Sequence, residues 1–472
     1  MCRAARGRCA LALALASGAA ALRRSAPAAS ADDERGSPAG SYRQQLLNNV
    51  DMQYIAKVQV GGQPVRGLPD TGSYDFVLFG KRCVHCGGRG AYDSKASSSF
   101  AAGLREKEQN YGSGNCMARD GRDSVTIGPL ANKSLAVWEA TQCELPLLKT
   151  GGFDAVMGLG PPGHAKHVAL NMLEEIRHLE RRYRRSHVEM PEKIARAKRT
   201  FEEDVFDFDK KPSLLDTFGV TILSFCFGRA SGSPGFLVWN DVVPKASLPL
   251  PVFSGIDWST RLKDVALVSL GQDPVPLGCV PGPCHAVLDT GTSLLGVPGD
   301  VYQAVLAELS KDDAPDCSDL RKFPDLVFNL GDHPLRLPPE AYVGVLEGSK
   351  SKLLSRFLHS DGVGSPSAAK YSGSAQCQLL LLDNGNNTAE DGTQEFVLGV
   401  PFFREYYTTF DLGRPQLGQE RKMFAVPAGD QCQPAERTHQ GFNYQRQRSP
   451  ILPRRVDVSQ VQLPRRWLRR LL

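Results

Sequence analysis

One short pattern occurs twice in this chain, and its repetition limits the possible folds more than any other feature. Asp70-Thr71-Gly72-Ser73 follows a β-rich run from Tyr54 to Val65, and Asp289-Thr290-Gly291-Thr292-Ser293 follows the apolar strand Ala286-Val287-Leu288. In each copy a strand runs into a sharp turn that exposes one carboxylate. Gly291 has no Cβ and lets its turn tighten, while Thr290, Thr292 and Ser293 supply hydroxyls that can hold the carboxylate and the turn backbone. A single Asp-Thr-Gly arises by chance in ordinary turns. Two in one chain of 472 residues change the odds. Two carboxylates brought together cannot both ionise cheaply, so they would share one proton. The ionised one can take a proton from a water while the protonated one polarises a carbonyl. That chemistry needs no metal, cofactor or covalent intermediate.

A second repeat accompanies the first: Phe153-Asp-Ala-Val-Met-Gly-Leu-Gly160 in one half and Phe396-Val-Leu-Gly399 in the other. With the paired Asp-Thr-Gly turns, these motifs resemble the pepsin-like aspartic proteases from about Ser41 to Cys432. The resemblance implies an all-β, bilobal fold with pseudo-two-fold symmetry and an aspartic endopeptidase activity on peptide or protein substrates. It assigns Asp70 and Asp289 as the catalytic pair. Thr71 and Thr290 would brace the two turns, Ser73 and Thr292 would bond the outer carboxylate oxygens, and Gly72 and Gly291 would complete them. Tyr111, Gly112, Ser113 and Gly114 become a mobile hairpin tip, the flap, over the substrate. Val400-Pro-Phe-Phe-Arg-Glu-Tyr-Tyr is similar to apicomplexan-type members. The family pattern is broken at Pro69, which brings no N–H to a central strand, and at Tyr74, Val77 and Val400. The departures at 69, 74 and 77 are expected to loosen the first turn.

Twelve cysteines are present, and Cys2 and Cys9 leave with a presumed signal sequence. For the other ten, the resemblance implies Cys83–Cys86, Cys279–Cys284, Cys317–Cys377 and, as in membrane-linked memapsin-type relatives, Cys226–Cys432; Cys116 and Cys143 remain as the last pair. Cys83-Val-His-Cys86 could also suggest zinc, but no second ligand pair has matching spacing, so no metal site is assigned. Asn132-Lys-Ser134 and Asn386-Asn-Thr388 are glycosylation sequons, usable only in the secretory route.

The formal charge of +5 belongs to the ends. Residues 1–40 carry six Arg against three acids and 433–472 carry nine Arg against two, which leaves the middle at about −5. Residues 1–30 read as a signal peptide, with Arg3, Arg6 and Arg8 before the apolar run Cys9–Leu22. An Arg- and Ala-rich organelle transit peptide remains open at this stage. Residues 31–40 form a short pro or linker segment, with no basic prosegment of the usual length visible before Ser41. The N-terminal lobe is expected over 41–224 and the C-terminal lobe over 225–432. Within the first, 164–211 is a charged helical insertion of twelve Lys/Arg and ten Asp/Glu, whose near-cancelling charges argue against nucleic-acid binding. The basic tail 433–472 is expected to be disordered, or to form a short amphipathic segment on a membrane surface or an acidic partner. No stretch reaches the length of a transmembrane helix, and a monomer in the secretory pathway is expected. Two other functions stay open: a catalytically impaired peptide-binding relative, favoured by Pro69, Tyr74 and Val77, and a membrane- or polyanion-associated scaffold, favoured by the tail.

Overall fold

The structure is a computed structural model describing residues 40–87, 92–130, 133–207, 212–279, 282–311, 317–360, 362–363, 377–386, 388–389, 391–413, 419–435 and 450–464. The expected signal peptide at 1–30, nearly all of the 31–40 segment, Asn132 and the Arg-rich end 465–472 lie outside these residues.

Alternating runs build the first lobe. Tyr42–Asn49 (β1), Gln53–Val60 (β2) and Gln63–Asp70 (β3) are consecutive strands, with the β2–β3 hairpin closed at Gly61-Gly62 so that Val58 faces Val65. Phe76–Val84 (β4), Ala101–Tyr111 (β5), Gly114–Thr126 (β6), Lys133–Glu144 (β7) and Ala155–Gly158 (β8) follow. β3 pairs in parallel with β8, β8 runs antiparallel to β4, and β5, β6 and β7 make the outer antiparallel ladder.

Ile222–Phe227 (β9) and Gly235–Trp239 (β10) join β1 to strands 406–411 and 422–427, making one thirteen-stranded sheet among the described residues. The lobe boundary expected at 224/225 therefore cuts a strand of the sheet that both halves share.

The second lobe is built on an eight-stranded sheet. Its central strand Cys284–Leu288 pairs in parallel with Glu395–Leu398, placing Leu288 opposite Leu398. In the first lobe the matching pairing places Asp70 opposite Gly158. Every residue of Cys284–Leu288 and of β8 is buried, as strands covered on both faces require. One core cluster spans both lobes and includes Trp239, Trp258, Phe225 and Phe410; large side chains of this kind contribute roughly 1.5–3 kcal/mol each on burial. The Trp258 indole also donates to the Leu159 carbonyl at 3.0 Å, tying the lobes together.

The insertion is two helices, His164–Arg185 (α1) and Glu192–Asp207 (α2), and despite its charge it packs against the body. Ala169, Met172, Leu173 and Ile176 are buried along one stripe of α1, at the spacing of a helical face. Met172 packs with Phe201 and with Ile256 of the second lobe. Asp204 on α2 bonds Arg105 at 2.6 Å and approaches Lys107 at 3.6 Å, so the insertion is fastened to β5.

The tail also differs from expectation. Residues 450–464 are ordered against the body: Arg454–Asp457 adds a parallel strand beside Val343–Glu347, and Val456, Val458, Val461 and Leu463 are buried. Buried aliphatic residues supply the stability that the basic composition concealed. Five disulfides join Cys83–Cys86, Cys116–Cys143, Cys226–Cys432, Cys279–Cys284 and Cys317–Cys377. No helix among the described residues is long and apolar enough to cross a membrane.

Candidate active site

Each aspartate is backed by a strand that ends in or runs into a glycine, Gly158 in one lobe and Gly399 in the other. A Cβ on Gly158 would overlap the backbone of Tyr74 and Asp75, and one on Gly399 would overlap the carbonyls of Thr292 and Leu294. These glycines let each turn lie directly on the strand behind it. The contact is fastened by Gly158 N–H donating to Asp75 O at 3.0 Å in one lobe and Val400 N–H donating to Thr292 O at 2.9 Å in the other.

The two turns meet in a reciprocal lattice of hydrogen bonds. Thr71 N–H donates to Thr290 Oγ1 at 3.1 Å and Thr290 N–H donates to Thr71 Oγ1 at 2.9 Å. The Thr71 hydroxyl donates to Leu288 O at 2.8 Å and the Thr290 hydroxyl to Pro69 O at 2.9 Å. Every one of these groups is buried, where an unmade bond would cost more than a made one contributes.

Around the carboxylates the symmetry continues. Asp70 Oδ1 accepts from Gly72 N at 3.0 Å and its Oδ2 from the Ser73 hydroxyl at 2.6 Å. Asp289 Oδ1 accepts from Gly291 N at 2.8 Å and its Oδ2 from the Thr292 hydroxyl at 2.6 Å. Both aspartates are 4 % exposed. Neither Gly72 nor Gly291 has the left-handed backbone that favours glycine. The reason for glycine lies across the axis: a Cβ on Gly72 would sit 2.8 Å from Asp289 Cγ and both its oxygens, and one on Gly291 would overlap Asp70 Oδ1. Each glycine makes room for the opposite carboxylate.

Burial, and then the Asp289 charge, push the Asp70 carboxyl up to about 8, against the lowering effect of the Ser73 hydroxyl. Two carboxylates in one dry site are most stable with a single proton between them, carried here on the Asp70 side. Such a pair presents one acceptor and one donor to whatever lies over it.

The residues expected to form the flap close the β5–β6 hairpin, in which Tyr111 lies opposite Gly114. Tyr111 packs against a cluster holding Val77, Trp138 and Phe153. Val77 lies in register with Trp138 across the β4–β7 ladder, and both belong to this cluster. Two of the residues that break the family pattern have defined partners beside the first turn. Pro69 lies in register with Met157 of β8 and lends its carbonyl to Thr290. Tyr74 takes a 3.4 Å bond from Lys107 of the flap strand, whose ammonium also lies 3.3 Å from Asp75. The sulfurs of Cys83, Cys86 and Cys143 converge within 4.8 Å, but all three are in disulfides, whereas zinc takes thiolates. The sequence reading passed over Trp138 and Lys107 as neighbours of the site, because strands far apart in the chain bring them there.

A family model described as eukaryotic aspartyl protease matches residues 53–178 and 250–421. The chain is 26 % identical to chymosin of Callithrix jacchus, over 78 % of this chain and 80 % of that protein. It is 24 % identical to cathepsin D of Dictyostelium discoideum (78 % and 83 % covered) and 22 % identical to plasmepsin VI of Plasmodium berghei (78 % and 74 %). With a family match over both lobes, and two equivalent turns closing on one pair of carboxylates, this chain belongs to the eukaryotic aspartyl proteases and is an aspartic-type endopeptidase acting on peptides or proteins.

Proposed function

We propose that Asp70 and Asp289 are the catalytic pair of a competent endopeptidase that hydrolyses peptide bonds with a water held between them. The observation that carries this reading is the equivalence of the two carboxylates, each with one backbone N–H and one hydroxyl on matching oxygens. In the working form Asp289 takes a proton as the water attacks. Asp70, protonated, donates to the carbonyl oxygen and stabilises the tetrahedral adduct. The flap residues Tyr111 to Gly114 close over the substrate and exclude water. Five disulfides and an exposed Asn386 within a sequon support synthesis in the secretory route. One chain supplies both halves of the pair, so a monomer suffices.

The test is Asp289→Asn, assayed on a peptide mixture across acidic pH. An amide cannot carry the shared ionisable proton, so activity should fall by several powers of ten, roughly the loss seen when a catalytic unit is broken, with far-UV dichroism unchanged. Retention of more than a few per cent of activity would overturn the assignment.

A further inference from the structure

The space beneath the flap is filled by the chain's own C-terminal segment. Past Arg454–Asp457 the chain makes one 3-10 turn at Val458–Gln460 and then runs extended through Val461-Gln462-Leu463-Pro464, between the flap tip and the second catalytic turn. Ser293, next to Thr292, donates its N–H to Gln462 O at 3.1 Å, and its hydroxyl accepts from Gln462 N at 2.8 Å. From the flap, the Ser113 hydroxyl accepts from Leu463 N at 2.9 Å. The Pro464 carbonyl lies so close to Gly112 that a Cβ there would overlap it. Upstream, the Gln53 amide donates to Gln460 O at 3.0 Å. Val461 and Leu463 join an apolar cluster with Met52 and Leu294. Backbone groups of an extended strand are thus read from both sides, by the flap and by the loop that holds Asp289. Binding of this kind is set mainly by the ligand's main chain, with pockets for selected side chains.

We propose that Ser459–Pro464 is an intramolecular peptide ligand of the catalytic cleft, which blocks it until displaced or removed. Its chemistry also indicates what the cleft accepts on this side: an extended, uncharged peptide with aliphatic side chains where Val461 and Leu463 lie. This inference rests on the reading of the cleft given under Proposed function. No disulfide holds the segment among the described residues beyond Cys432. It is tethered instead by the strand Arg454–Asp457 and by Arg454, whose guanidinium lies 3.5 Å from buried Asp51. A short tether gives an effective concentration on the order of millimolar, so even a segment with a dissociation constant of roughly 0.1 mM would hold the cleft closed about ten to one.

The experiment uses the full chain with Gln462→Pro, which removes the N–H that Ser293 accepts, and separately Leu463→Asp, which places a charge among aliphatic groups. Both lie outside the tethering strand, and the second variant reads the same property if the first misfolds. A labelled peptide of the sequence of residues 459–464 is titrated against each form in an Asp289→Asn background, so occupancy is read without turnover. Peptide binding to the variants but not to the parent, with kcat/KM on an uncharged peptide raised about tenfold by either substitution in the active background, is the expected result. Equal binding by parent and variants, or by neither, with kcat/KM unchanged, overturns the proposal. Differential binding with no turnover in any form would sink the catalytic reading alone; turnover equal in all forms without peptide binding would sink this one alone.

Discussion

Gly72→Ala isolates the close approach of the two lobes. The backbone at Gly72 is compatible with any L-residue, so the substitution adds no conformational strain and changes one thing, a methyl group aimed at the opposite carboxylate. That methyl would stand 2.8 Å from Asp289 Cγ, Oδ1 and Oδ2, where ordinary contact begins at 3.4 Å. The carboxylate, or the turn that carries it, must therefore yield by about 0.6 Å, the difference between those distances. Asp289 cannot rotate away freely, because its oxygens are bonded at 2.8 and 2.6 Å by Gly291 N and Thr292 Oγ1. A displacement of that size exceeds the tolerance of a catalytic constellation and should lower kcat roughly 10- to 100-fold. The flap and the surface around the cleft are untouched, so KM should move less than threefold. The assay is steady-state hydrolysis of a fluorogenic peptide, beside a thermal melt to show that the fold persists. A kcat within twofold of the parent would refute the argument that glycine is there to admit the other carboxylate.

Thr71→Val keeps the shape of the side chain but deletes the hydroxyl that serves Leu288 O and Thr290 N. With two buried groups left unpaired, urea denaturation should show a loss of roughly 2–4 kcal/mol, and a loss below 0.5 kcal/mol would contradict the lattice. The raised Asp70 carboxyl also sets a direction for stability against pH. Folded Asp70 keeps its proton up to about 8, whereas the unfolded group releases it near 4, so between those limits the native state binds more protons and stability falls as pH rises. Asp70→Asn should flatten that decline in melts taken from pH 4 to 8; an unaltered slope would remove the basis for placing the proton on Asp70.

Much of the fold was legible in the residues because its strongest signals are local and repeated. An apolar strand, an Asp-Thr-Gly turn and an apolar strand ending in glycine each report their own conformation, and finding each twice implies a two-fold arrangement. Cys279-Val-Pro-Gly-Pro-Cys284 could be read as a loop for the same reason, since its ends are close in sequence. The amphipathic stripe Ala169, Met172, Leu173, Ile176 was present in the insertion as well, but the surrounding Arg and Glu residues hid it.

What the sequence determined by itself was the pair of carboxylates, the hydroxyls within three residues of each, and the family to which they belong. Contacts across the axis were decided only by the tertiary structure. Gly72 is glycine because of Asp289, 217 positions away in the chain, just as the Thr71 hydroxyl is satisfied by Leu288 at that separation. Trp138 lies in register with Val77 because β4 and β7 are neighbours in the sheet. The tail showed the same limit most plainly: Val456, Val458, Val461 and Leu463 are scattered among Arg, Asp and Gln, with neither an unbroken strand nor a helical period to signal a core. Their burial depends on a groove assembled from Met52, Leu294 and the flap, and no local pattern encodes a surface that exists only once both lobes have closed.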